Sequence, residues 1–178
     1  MKQLINSNQK KVDILSLNRL RVLDEKNEYI VLSSLWRDNP AILVFIRHFG
    51  CISCRAHVEQ VWSKKNELQK NGTKIFFIGS GSPYLINQFR LDCNIKEARI
   101  FTDPGLESFT ASGLIHTNTK NLDSASLKKI AELEKLGYSL KIIENDGDDT
   151  QLGGIVAMKP PGIVTYHFIS TYIGDFEL

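Results

Sequence analysis

The sequence predicts an α/β fold with a mixed central sheet, and three observations carry that expectation. Continuous apolar runs at 40–46, 74–79 and 99–102 have the length and β-branched or aromatic content of buried strands. Helical periodicity fills the intervals between them. Two more apolar runs, 153–158 and 163–169, are joined by Lys159-Pro160-Pro161-Gly162, a turn sequence. Strand–helix alternation with tight connections gives parallel strands, and the Pro-Pro-Gly turn gives a C-terminal antiparallel hairpin. Helices then cover both faces of the sheet.

The elements follow in chain order. Residues 1–11 are polar and read as a flexible N-terminal arm, leaving 12–178 as a single domain, a length that can bury a core without staples. Val12-Asp13-Ile14-Leu15 and Arg21-Val22-Leu23 read as short strands, and 31–36 as a connecting segment or a turn of helix. After the strand at 40–46, Phe49-Gly50 breaks the chain and a helix runs from Cys51 to about Gln69. Val58, Val61 and Trp62 lie near its inner face, and Asn71-Gly72 ends it. The strand at 74–79 leads to Ser82-Pro83, a cap and first position for a helix reaching Asp92. Beyond the strand at 99–102, Asp103-Pro104 opens another helix through Phe109. Leu127, Ile130, Leu133 and Leu136 recur at helical spacing over 124–136. Its flanks, 117–123 and 145–150, are polar and read as surface loops.

Charge and cysteine usage narrow the function classes. The chain has 22 basic and 20 acidic residues and a net charge of +2, which provides no electrostatic case for nucleic acid or for an anionic membrane. The first residues lack the apolar core of a signal peptide, and no apolar run approaches a membrane span, so the expected compartment is the cytoplasm. Three cysteines do not make a disulfide scaffold. In a reducing compartment a Cys-x-x-Cys pair points to redox chemistry or to a metal.

That pair is Cys51-Ile52-Ser53-Cys54, placed where a buried strand gives way to a helix. A helix N-terminus offers unpaired N–H groups and positive partial charge, which stabilise a thiolate at Cys51. Arg47, His48 and Arg55 add cationic potential, and Gly50 allows the turn. Residues three apart share a helix face, so Cys54 can approach Cys51 and close a disulfide. Cys51 is therefore expected to be the exposed attacking thiolate and Cys54 the resolving thiol. A competing expectation is a zinc site built from Cys51, Cys54, His48 and His57. Cys93 reads as a small buried hydrophobe, and His116 and His167 have no partner visible in the sequence. Asp146, Asp148 and Asp149 around Gly147 resemble a calcium-loop fragment without its terminal Glu and read as a solvated loop. Gly79-Ser80-Gly81 lacks the Lys and the glycine spacing of a phosphate loop.

The segment Phe45-Ile46-Arg47-His48-Phe49-Gly50-Cys51-Ile52-Ser53-Cys54-Arg55, taken with Ile78-Gly79-Ser80-Gly81, Phe101-Thr102-Asp103-Pro104 and Gln151-Leu152-Gly153-Gly154, resembles peroxiredoxin-like proteins of the alkyl hydroperoxide reductase/thiol-specific antioxidant (AhpC/TSA) type. The resemblance runs from about Val12 to Asp175. It implies a thioredoxin-like fold, an antioxidant oxidoreductase activity, and Cys51 with Cys54 as the redox pair. The chain departs from the peroxiredoxin pattern Pro-x-x-x-Thr/Ser-x-x-Cys, holding Val44 and His48 at those places, and no Arg stands near the terminal hairpin. The expected function is a thiol-dependent oxidoreductase. Cys51 attacks a peroxide or disulfide, Cys54 resolves to an intramolecular disulfide, and an external dithiol, of a thioredoxin or glutathione system, restores the thiols. No cofactor, metal, nucleic acid or membrane partner is expected, and the oligomeric state is left open. The alternative is a thioredoxin-fold binding or redox-sensing module whose cysteines are structural, regulatory or zinc-binding.

Overall fold

The computed structural model describes residues 11–117 and 122–176. The expected flexible arm, apart from Lys11, lies outside the described residues, as do 118–121 of the polar loop before the last helix.

The first element is a short helix, α1 (Ile14–Leu17), where a strand was expected. Asp13 decides the difference: its carboxylate accepts the Ser16 N–H at 3.1 Å and the Ser16 hydroxyl at 2.6 Å, capping the turn. Strands β1 (Arg21–Leu23) and β2 (Tyr29–Val31) pair antiparallel, and a 3-10 turn follows at Leu32–Leu35. β3 (Ala41–Phe45) leads to α2 (Ile52–Ser63) and the separate turn α3 (Lys65–Leu68). The helix expected to reach Gln69 without interruption breaks at Lys64, which leaves helical geometry at φ −95°, ψ 9°. β4 (Lys74–Gly79) is followed by a 3-10 turn at Pro83–Leu85 and by α4 (Ile86–Asp92). After β5 (Arg99–Thr102), α5 (Glu107–Ala111) starts later than Asp103-Pro104 suggests. Leu106 sits in the left-handed region at φ 59°, and Asp103 caps from outside by accepting the Ser108 N–H at 2.7 Å. Helix α6 (Ser124–Lys135), capped by Asp123, precedes the hairpin β6 (Gly154–Lys159) and β7 (Ile163–Ile169). Pro160-Pro161 in its turn is a cis bond.

All seven strands join one sheet in the order β2-β1-β5-β4-β3-β6-β7. β3, β4 and β5 run parallel, while β6, β7 and β1 pair antiparallel, so the expected mixed α/β sheet is present. Alternation along the strands sorts the core into two layers. Leu43, Phe45, Phe76, Ile78 and Val156 face one side with Trp36 and Phe109. Val44, Ile46, Ile75, Phe77 and Ile100 face the other, where Val58, Val61 and Phe89 come from α2 and α4. Helix α6 packs outside α2 through Leu133 against Ile52 and Ala56. The end of β3, flanked by β4 and β6, thus meets the N-terminus of a helix held on two sides.

Candidate active site

Ile46 still belongs to the sheet, donating its N–H to the Ile78 carbonyl at 2.9 Å. The chain then turns through 47–50, and Cys51 becomes the N-cap of α2 with extended geometry, φ −62° and ψ 125°. This places the Cys51 side chain at the positive end of the helix. Cys51 and Cys54 are free thiols. Cys54 Sγ accepts the Arg47 backbone N–H at 3.1 Å, and Cys51 Sγ accepts from Arg47 Nη1 at 3.3 Å. Ser53 Oγ lies 3.1 Å from Cys51 Sγ. The same guanidinium donates through Nε to the Gln151 carbonyl at 3.1 Å and through Nη2 to the Asp149 carbonyl.

Burial opposes ionisation of both thiols, but the surroundings split them. At Cys51, hydrogen bonds from Cys54 and His48 and the charges of Arg47 and His48 overcome burial and hold the thiol well below its usual range. At Cys54, burial pushes the thiol well up, and the hydrogen bond and negative charge of Cys51 push it further. His48 is opposed by burial as a cation, yet Cys51 and Asp146 raise it above the ordinary imidazole value. The arrangement therefore stores one proton on Cys54, favours an imidazolium at His48, and leaves the negative charge on Cys51.

One expectation is overturned here. Cys51 was expected to be exposed, but it is 1% exposed and Cys54 4%. The cover is the segment 141–151, which returns from α6 and lies across the turn before α2. Lys141 N–H donates to the Gly50 carbonyl at 3.0 Å, and Phe49 N–H to the Asp146 carbonyl at 2.9 Å. Ser80 Oγ accepts the Asp148 N–H at 2.9 Å and donates to the Arg47 carbonyl at 2.5 Å. Contact this close needs glycine: a Cβ on Gly50 would collide with the Lys141 carbonyl and the Asp146 carboxylate. A narrow cavity of 20 Å³, lined in part by Arg47, Ser53, Cys54 and Gly153, reaches Cys54 from the hairpin side.

The AhpC/TSA antioxidant enzyme family model matches residues 60–171 of this chain. The chain belongs to that family. It is 30% identical over 153 residues to a thioredoxin-like protein of Arabidopsis thaliana named as chloroplastic, covering 82% of this chain and 60% of that one. It thus spans less than two thirds of that relative. A prostamide/prostaglandin F synthase of Salmo salar is 30% identical, covering 84% of this chain and 75% of the fish protein. The reduced Prx3 of Vibrio vulnificus, solved in complex with hydrogen peroxide, superposes with a TM-score of 0.64 at 11% identity, covering 97% and 92% of the two chains. This AhpC/TSA protein thus has the thioredoxin-like fold of its structural neighbours. The family match begins within α2, after both cysteines of the pair, and includes the 141–151 cover.

In this AhpC/TSA chain, Arg47, His48, Gly50, Cys51 and Cys54 come together as one cluster. Arg55 does not join them as expected: its guanidinium pairs with Asp92 at 3.4 Å and lies 6.0 Å over the Phe89 ring. The guanidinium that reaches the Cys51 sulfur is that of Arg47, from the end of β3. The four residues of the zinc alternative are not gathered, because His57 stacks on Phe176 at 4.6 Å. Among the described residues, no group of three or more His, Cys, Asp or Glu is arranged to hold a metal. Cys93 is buried as expected, and burial pushes its thiol up to about 12. His116 Nδ1 lies 3.1 Å from Thr150 Oγ1, and His167 donates through Nε2 to the Ser112 carbonyl at 2.8 Å.

Two features escaped the sequence. The acidic stretch around Gly147 is not a solvated loop, since Asp146 is engaged by His48 Nδ1 at 2.7 Å and by Gly50 N–H at 3.0 Å. Ser80, within the Gly79-Ser80-Gly81 stretch, anchors the same segment by accepting the Asp148 N–H. Their local signals were an acidic cluster and Gly-Ser-Gly. Neither reveals a contact between residues 98 positions apart.

Proposed function

We propose that the protein is a thiol-dependent oxidoreductase in which Cys51 attacks a peroxide or a disulfide and Cys54 resolves. The observation that carries this reading is the Cys51 sulfur at a helix N-cap, hydrogen-bonded by the Arg47 guanidinium, with a second free thiol at Cys54. With a peroxide, the thiolate takes the distal oxygen. That oxygen keeps its hydrogen, so the product is the sulfenic acid; the O–O bond breaks, and the leaving alkoxide, or hydroxide from hydrogen peroxide, takes one proton from His48 or water. Cys54 then attacks the sulfenic sulfur, expelling water and closing the disulfide. With a disulfide substrate the first product is a mixed disulfide, and Cys54 displaces the second thiol. Either way an external dithiol, of a thioredoxin or glutathione system, returns two electrons and two protons. A reducing compartment such as the cytoplasm suits that cycle. Among the described residues no helix is long and apolar enough to cross a membrane.

Stopped-flow oxidation of the reduced protein by hydrogen peroxide, with mass spectrometry of the product, tests this function. The expected product is a Cys51–Cys54 disulfide, and Cys51→Ser abolishes its formation. If peroxide reacts no faster than with a free thiol while a small disulfide is reduced quickly, disulfide exchange is the activity. If neither oxidant produces the Cys51–Cys54 bond, the proposal is wrong. The buried position of Cys51 favours one second reading, a redox-sensing module whose segment 141–151 moves on oxidation. That reading expects a single slow oxidation and no turnover with excess dithiol.

A further inference from the structure

The geometry points to Asp146 as a positioning residue that holds the His48 ring against Cys51, so that the 141–151 segment completes the active site as well as covering it. This rests on the function proposed above, because it assigns Cys51 as the working thiolate.

Three observations carry the assignment. First, Asp146 Oδ2 is 2.7 Å from His48 Nδ1, and the same oxygen accepts the Gly50 N–H at 3.0 Å. A carboxylate on Nδ1 makes that nitrogen the donor and leaves Nε2 as the ring's other polar atom, on an imidazole whose charge acts on Cys51 three residues along the chain. Nucleophile, imidazole and orienting carboxylate then stand in series, the relation by which a third group sets the tautomer of a base. Second, the pair is shielded: the side chains of His48 and Asp146 are 9% and 18% exposed, so water does not compete freely for either. Third, the placement is built from several directions. Gly147 forms an isolated antiparallel bridge with His48, and Ser82 N–H donates to the Asn145 carbonyl at 2.8 Å. A side chain on Gly147 would strike Ser80 and His48, and one on Gly81 would strike the Asp146 backbone.

The other charged groups nearby do not duplicate this role. Arg47 and Cys54 face the Cys51 sulfur directly. On the segment itself, the Asp148 carboxylate turns to the Thr150 N–H and hydroxyl, and Asp149 meets the site through its carbonyl. Asp103, near α5, is occupied by Ser108, and Asp92, from α4, by Lys141 and Arg55. Besides the Cys51 thiolate, the negative charge that reaches His48 comes from Asp146.

Asp146→Asn separates orientation from mere attachment. Asparagine keeps an oxygen for the Gly50 N–H and leaves the backbone bonds of the segment intact, but it carries no charge. The measurement is the thiolate absorbance of Cys51 against pH, taken as the difference between Cys93→Ser and Cys51→Ser/Cys93→Ser proteins, with and without Asp146→Asn. The expected result is a rise of about one unit or more in the Cys51 titration. The His48 titration falls at the same time, so the pH range of the thiolate–imidazolium pair narrows from both ends. A folded Asp146→Asn protein with both titrations unmoved overturns the assignment and leaves the proposed function standing. A Cys51 that titrates as a free thiol with Asp146 intact overturns both. If Asp146→Asn does not fold, nitrogen NMR of His48 in the unsubstituted protein decides. A proton on Nδ1 throughout the titration supports the assignment, and a ring protonated only at Nε2 overturns it.

Discussion

At Cys51, the outcome of a contest between burial and charge sets the chemistry. Two hydrogen bonds and two positive neighbours overcome the desolvation of a nearly inaccessible sulfur. The linkage follows from the sign. The folded-state thiol is lowered, so its contribution to stability is fully present above the unfolded thiol value of about 8.5. That contribution is lost as pH falls through the folded value. His48 runs the other way: its raised folded value contributes below the unfolded imidazole value and is lost as pH rises through the folded one. A pH series of denaturation midpoints for the protein and Cys51→Ser should differ most on the alkaline side. Arg47→Lys tests the guanidinium. Lysine retains charge but cannot serve Cys51 and two carbonyls with one planar fork. The expected result is slower Cys51 alkylation at neutral pH and a loss of about 1–3 kcal/mol in denaturant unfolding, the cost of leaving buried acceptors unpaired. Cys93 serves as the contrast: pushed up to about 12, it stays a thiol at neutral pH, and labelling should reach it only after unfolding.

At the scale of elements, α2 and the 141–151 segment determine whether those residues meet. Helix α2 is clamped between the sheet, through Val58 and Val61, and α6, through Ile52 and Ala56. Phe77, fully buried under α2 beside Trp62, is a large share of that clamp. Phe77→Ala should lower unfolding free energy by about 3–5 kcal/mol in a denaturant titration. Gly50→Ala should act differently, because its Cβ would occupy the space of Lys141 and Asp146. Hydrogen exchange over 141–151 is expected to speed up while the strands keep their protection; an unchanged segment would mean that the close approach is not needed. The elements also mark where periodicity is a weak guide. The apolar runs of β3, β4, β5 and β6 were legible because each side of a buried strand must be apolar, and the edge strand β7 through its β-branched and aromatic content after the Pro-Pro-Gly turn. The ends of α1 and α5 were not, because Asp13 and Asp103 set them through single side-chain caps that a hydrophobic pattern does not register. The break at Lys64 was also missed, since the inner-face pattern runs on into Leu68.

For the whole molecule, the sheet order brings the β3 end, the β4 end and the β6 start to one rim, and the cysteine pair sits there. A thiolate stabilised at neutral pH stabilises the reduced form, so the Cys51–Cys54 disulfide should be the more oxidising partner against thioredoxin. Equilibration with glutathione should place its potential above about −270 mV. A more negative value would mean that the Cys51 thiolate is not stabilised at neutral pH. The α/β class, the hairpin and the strand–Gly–helix position of the Cys-x-x-Cys could all be read from order along the chain, because local periodicity and turn residues are short-range properties. Four features needed the folded chain: the burial of both sulfurs, the diversion of Arg55 to Asp92, the anchoring of 141–151 on Gly50 and Ser80, and the meeting of His48 with Asp146. Each is a contact between segments far apart in sequence, settled only when the strands take their places in the sheet and bring those segments to the same edge.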